Sequence, residues 1–163
     1  MKDIIDKISS YNIFNYLFPG IVFVILLDQV TNYDLIIENN FLGAFLYYFI
    51  GLVISRIGSI ILDPIFKKIK IVKFFSYSDF LLASKNDDKV SLFSEINNTY
   101  RTLSSTFFCL LISVIYEKFV SSFFQSTGIE KYILVVGLLV LFILSYRKQT
   151  EYINDRINNQ LTK

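Results

Sequence analysis

The sequence predicts an all-α membrane protein with four transmembrane helices, two of which, spans 3 and 4, extend into the cytoplasm. Three observations predict it. Four long runs are free of charge. Hydrophobic residues make up 53% of the 163 residues while charged ones make up 18%, below the roughly 25% of soluble domains. Lysine and arginine also fall mostly on alternate sides of the four runs, as they do around membrane spans. The mean hydropathy of +0.50 excludes a disordered chain, which cannot carry so much apolar surface.

A helix needs about 20 apolar residues to cross a hydrocarbon core of ~30 Å. The first span is expected at about 11–30, built on the uncharged run between Lys7 and Asp28. The sequence after it, Leu27 to Asn32, has no small-x-small cleavage pattern, so a retained helix is expected rather than a signal peptide. Pro19 and Gly20 lie inside it, and proline kinks a helix by removing a hydrogen bond. They form either an interfacial feature or a hinge above a polar inner vestibule. Asn12 and Asn15, three apart, share a face at its inner boundary.

The second span is expected at 40–62. Gly51, Ser55 and Ser59 recur every four residues, with Gly58 beside them and Gly43 two turns earlier. Small residues at this spacing let helix backbones approach closely, within a bundle or between subunits. Arg56 is the one charge inside a span, close enough to the inner face to snorkel. It either pairs structurally or lines a pore or partner site.

A loop over 63–101 follows. Lys67, Lys68, Lys70 and Lys73 interleave with apolar residues, which suits either plain flanking charge or an amphipathic stretch on an anionic leaflet, a lipid or partner contact. Ser78 and Asp79 offer an N-cap, and Ser84 to Asp88 reads as a polar turn. From Val90, helical spacing returns. Phe93, Ile96, Tyr100, Leu103 and Phe107 form one stripe leading into the third span at 102–120. Glu95, Asn97, Asn98 and Arg101 concentrate polar groups at its inner end. With Asn12, Asn15 and Arg56 they make either a polar network locking the bundle or a constriction. The fourth span, 130–147, runs into a tail over 148–163 striped by Tyr146, Ile153, Ile157 and Leu161. The whole chain, 1–163, reads as a single domain.

Orientation follows from the short loops. With both termini inside, the exterior carries net −3 and the interior net +5, which together give the formal +2. A bacterial inner (cytoplasmic) membrane with cytoplasmic termini is expected.

Chemistry is narrowed by absences. No histidine means no His-based zinc site, proton shuttle or Ser-His triad. A single cysteine, Cys109, allows no intrachain disulfide or cysteine metal cluster. No phosphate-binding glycine loop or nucleophile elbow is present. The expectation is a protein that is not an enzyme, has no catalytic or metal-binding residues and no cofactor, and binds no nucleic acid.

Two stretches, Tyr11-Asn12-Ile13-Phe14-Asn15-Tyr16-Leu17-Phe18-Pro19-Gly20 and Glu95-Ile96-Asn97-Asn98-Thr99-Tyr100-Arg101-Thr102, resemble a pattern in small bacterial four-span inner-membrane proteins. Membrane subunits of phage-defence systems are among them, with Kiwa-type subunits similar by architecture only. The resemblance implies a sensor or effector of anti-phage defence working with a soluble cytoplasmic partner. The leading expectation is a non-enzymatic subunit that contacts membrane lipids, forms a homo-oligomer and docks such a partner. An oligomeric channel or transporter subunit, with Arg56 favouring anions, is one alternative. An immunity protein against a membrane-active toxin is the other.

Overall fold

The computed structural model describes residues 12–119 and 129–161 and is all-helical, with no strand among the described residues. Four helices are long and apolar enough to cross a membrane: α1 (Ile13–Val30), α2 (Asn40–Lys68), α4 (Asp88–Phe119) and α5 (Ile129–Leu161). A short helix, α3 (Tyr77–Asn86), joins α2 to α4. The expected span over 102–120 is the second half of α4, except for its last residue, which lies outside the described residues.

The four long helices run up and down. At one end, the acidic end, the Asn32 main-chain N–H and side-chain amide both donate to Glu117, at 2.6 and 2.7 Å. There too the Tyr116 hydroxyl donates to Glu130 at 2.9 Å. At the other end, the basic end, Asp63, Arg101 and Lys148 come together. Between Arg101 and Glu117, α4 rises about 24 Å, close to the depth of a hydrocarbon core.

Helix α1 crosses α2 at Gly20 and Gly51. A Cβ on Gly20 would strike the Tyr47 carbonyl, and one on Gly51 the Tyr16 carbonyl. Backbone meets backbone on both sides, so this crossing needs glycine at both positions. Around it α1, α2 and α4 form the tight part of the bundle. Helix α5 lies against α2 through stacked Phe49 and Phe142, 6.2 Å apart, and against α3 through Tyr152 and Tyr77, 5.3 Å apart.

Both prolines of the chain follow a π-helical turn, Ile13–Leu17 before Pro19 and Gly58–Leu62 before Pro64. The N–H groups of Phe18 and Asp63 reach back five residues, to the carbonyls of Ile13 and Gly58. A proline ring collides with the carbonyl four residues earlier, and widening the turn by one residue makes room for it. The helix therefore continues through each proline.

Several local expectations are corrected. The connection over 63–101 begins with more of α2 than expected, because the π-turn carries that helix past Pro64 to Lys68. The amphipathic reading of Lys67 to Lys73 stops there: Lys70 adopts a left-handed φ of 62°, and 72–76 have no regular structure. Lys67, Lys68, Lys70 and Lys73 are all exposed, and Lys67 sits over the Phe74 ring at 4.7 Å. The N-cap of α3 is Ser76, which accepts from the Asp79 N–H at 3.2 Å, not Ser78. The turn expected from Ser84 to Asp88 shrinks to Asp87, whose carboxylate accepts from the Lys89 N–H.

A candidate polar site at the basic end

The buried interior is unusually polar. Its apolar members are Val24, Leu27, Ile54, Leu62 and Leu141, fewer than the buried polar set that includes Asn15, Ser55, Ser59, Asp63, Thr102, Ser105 and Thr106. In lipid no hydrophobic force draws one apolar helix to another, so small residues and side-chain hydrogen bonds hold helices together. The face of α4 turned inward is the small polar one. Thr102, Ser105 and Thr106 have no solvent-accessible surface, while Phe93, Tyr100 and Phe107 on the apolar stripe are more than half exposed.

At the centre of the site one residue from each of three helices meets. The Thr102 hydroxyl lies 2.8 Å from the Asn15 side-chain oxygen and 3.1 Å from the Ser55 hydroxyl. The Asn15 amide donates to Ser55 at 3.5 Å. Thr102 also lies 2.9 Å from the Asn98 carbonyl, one turn back on its own helix. Asn15 belongs to the first π-turn.

A charged layer lies beside this triad. Arg101 reaches Asp63 through a single contact of 3.4 Å. The Lys148 ammonium donates to the Ser59 carbonyl at 2.6 Å and to the Ser59 hydroxyl at 2.8 Å. The Ser59 carbonyl needs this donor. In the π register it would accept from residue 64, which is proline and has no N–H. Lys148 also feels the charges of Asp63, Arg101, Lys67 and Arg56.

The sequence-selected residues separate accordingly. Gly51, Ser55, Gly58 and Ser59 all face the chain's own helices: Gly51 α1, Ser55 the triad, Gly58 the Ser105 side chain and Ser59 Lys148. Gly43 is buried beside Tyr47, whose hydroxyl accepts from the Ile37 N–H. Pro19 and Gly20 are both buried, Gly20 in the α1–α2 crossing. Of the residues grouped as pore or network, Asn15 and Arg101 enter the site. Arg56 is half-buried with no hydrogen bond among the described residues. Asn12 is half-buried beside the first π-turn, Asn98 contributes its carbonyl, and Glu95 and Asn97 are exposed. Arg101 turns to Asp63 on α2. Asp63, Lys148, Thr102, Ser105 and Thr106 were not singled out by sequence. Thr102, Ser105 and Thr106 do share one helix face by their spacing, which was the available signal.

At the acidic end, burial first, and then the carboxylates of Glu117 and Glu130, push the Tyr33 hydroxyl above its ordinary range. No group of three metal-ligating side chains occurs among the described residues.

The fold and site define a helical membrane protein with a hydrogen-bonded polar interior. Among known proteins, no family model, no curated sequence and no solved structure matches the chain.

Proposed function

We propose that this protein is a non-enzymatic membrane subunit that oligomerises and docks a soluble cytoplasmic partner through helices extending beyond the bilayer. The carrying observation is the length of α4 and α5. They have 32 and 33 residues, against about 20 needed to cross the core. Their surplus lies at the basic end, as does α3. On this reading that end faces the cytoplasm, which agrees with the positive-inside bias. Phe93, Ile96, Ile153 and Ile157 are exposed on the surplus turns and form the docking surface.

Oligomerisation draws its support from α5. Only 6% of its most apolar window is buried, so its membrane face is free for a second copy. A pore through one subunit fits less well. Thr102, Ser105 and Thr106 are sealed inside and bonded to neighbouring groups, not lining a path. The role in anti-phage defence is taken from the resemblance of the two stretches around Asn15 and Arg101.

The test is co-expression with the soluble product of the adjacent gene. The expected result is a stable complex with an oligomer of this chain, lost in Phe93→Ser/Ile153→Ser while membrane insertion is unchanged. A monomer that purifies without that product overturns the proposal.

A further inference from the structure

The charged layer at the basic end is unbalanced. Arg101 meets the one carboxylate, Asp63, at 3.4 Å, the Lys148 ammonium is bonded to Ser59 one turn before Asp63, and the charges of Arg56 and Lys67 also reach Lys148. Arg101 carries five N–H donors and spends one of them on a single contact of 3.4 Å. Its Nε is buried with no hydrogen-bond partner. Leaving a charged donor buried and unpaired is costly, and side chains in membrane proteins ordinarily find partners. Asp63 meets Arg101 alone among the described residues, and Lys148 is held by Ser59 instead. Arg56, Asp63 and Lys67 come from α2, Arg101 from α4 and Lys148 from α5.

We infer that this layer is a binding site for a phosphate group, carried by an anionic phospholipid headgroup or supplied as free phosphate. A tetrahedral oxyanion offers several oxygens to donors arriving from different directions. Arginine matches it with a planar fork and lysine with a point charge. The depth also suits a headgroup. Arg101 lies about 24 Å along α4 from Glu117, so the layer sits where the hydrocarbon ends. Tyr152, one turn beyond Lys148 on α5, has Tyr77 packed on it at 5.3 Å. The site joins α2, α4 and α5, so the phosphate group bridges the loosely held last helix to the rest. Lys68, Lys70 and Lys73 are exposed, do not count among the charges that reach Lys148, and offer only diffuse attraction.

The experiment uses the full chain in lipid nanodiscs and needs no assumption about which side of the membrane the basic end faces. Failure of the site is therefore separable from failure of the orientation. In one arm, native mass spectrometry counts lipids retained from discs of mixed phosphatidylcholine and phosphatidylglycerol. In the other, thermal unfolding in pure phosphatidylcholine discs is followed with millimolar inorganic phosphate. Preferential retention of phosphatidylglycerol assigns the phosphate to lipid. Stabilisation by inorganic phosphate in the neutral discs assigns it to the free ion. Arg101→Gln is the direct variant. Because Arg101 also meets Asp63, Arg56→Gln/Lys67→Gln is the second, since Arg56 makes no hydrogen bond among the described residues and Lys67 is exposed. Each cation removed is expected to lower the preference by about fivefold. Lys118→Gln/Lys131→Gln at the acidic end should leave it unchanged. Asp63→Asn should hold or raise it, which a purely structural role for Asp63 would not do. No preference for either phosphate source in the wild type, or equal retention in all variants, overturns the site.

Discussion

Lys148 donates from its ammonium to the main-chain carbonyl of Ser59 at 2.6 Å, and Pro64 leaves that carbonyl without a backbone donor. A side chain of the last helix thus completes a hydrogen bond that a proline removed from the second. Lys148→Met should destabilise the bundle by about 1–2 kcal/mol, the range for a hydrogen bond to a charged group that is partly solvated. Pro64→Ala gives residue 64 an N–H that reaches Ser59 in the π register. In that background Lys148→Met should cost less. Reversible unfolding in bicelles, run as a double-mutant cycle, measures the coupling, and additive effects would show that Lys148 does not serve this carbonyl.

Gly51→Ala should destabilise by about 1–3 kcal/mol, because its Cβ meets the Tyr16 carbonyl and the two backbones must separate. Gly20→Ala meets Tyr47 in the same way. Gly137→Ala is the internal control. Nothing lies within 4 Å of its added Cβ, so it should be neutral or stabilise by up to about 1 kcal/mol through helix propensity. The same unfolding assay ranks the three, and an equal cost for all would remove the close crossing as the cause.

Thr102→Val keeps the shape and removes the hydroxyl shared by Asn15 and Ser55. A loss of about 1 kcal/mol is expected, the scale of interhelical hydrogen bonds in membranes. Ser104→Ala, exposed and bonded only to the Tyr100 carbonyl of its own helix, should change stability by less than about 0.5 kcal/mol. If the two variants behave alike, the triad contributes nothing beyond ordinary helix solvation.

Orientation is open to cysteine labelling on a Cys109→Ser background, since the sequence has no other cysteine. Lys85→Cys in α3 should resist a membrane-impermeant maleimide in intact cells and react once the cells are opened. Glu38→Cys, on the acidic side, should react in both. The reverse pattern would place the basic end outside.

Much of the architecture was legible because membrane spans announce themselves by uncharged length. The runs ending at Asp28, Arg56, Glu117 and Arg147 each overlap one of the four long helices. The small-residue ladder from Gly43 to Ser59 was legible too, since close helix approach leaves few other choices. The interior of α4 was not. Apolar periodicity drew attention to Phe93, Tyr100 and Phe107, all more than half exposed, yet within the bilayer, where Phe107 lies, such a stripe carries no force towards the bundle, and Thr102, Ser105 and Thr106 turn inward instead. Pro64 concealed the continuation of α2, because a π-turn that lets a helix pass a proline has no obvious sequence mark. With α2 ending at 62, Asp63 falls in the loop, and nothing in the spacing ties it to Arg101, 38 residues on.

The polar interior has a thermal consequence. Separating α1, α2 and α4 within the bilayer moves Asn15, Ser55 and Thr102 into lipid and wets almost no hydrocarbon. The heat-capacity change that bends the stability curves of water-soluble domains comes from hydrating apolar surface. It should be nearly missing here, so the helices should come apart with an almost temperature-independent enthalpy. Cooling should then tighten this bundle across the whole range in which soluble proteins begin to weaken.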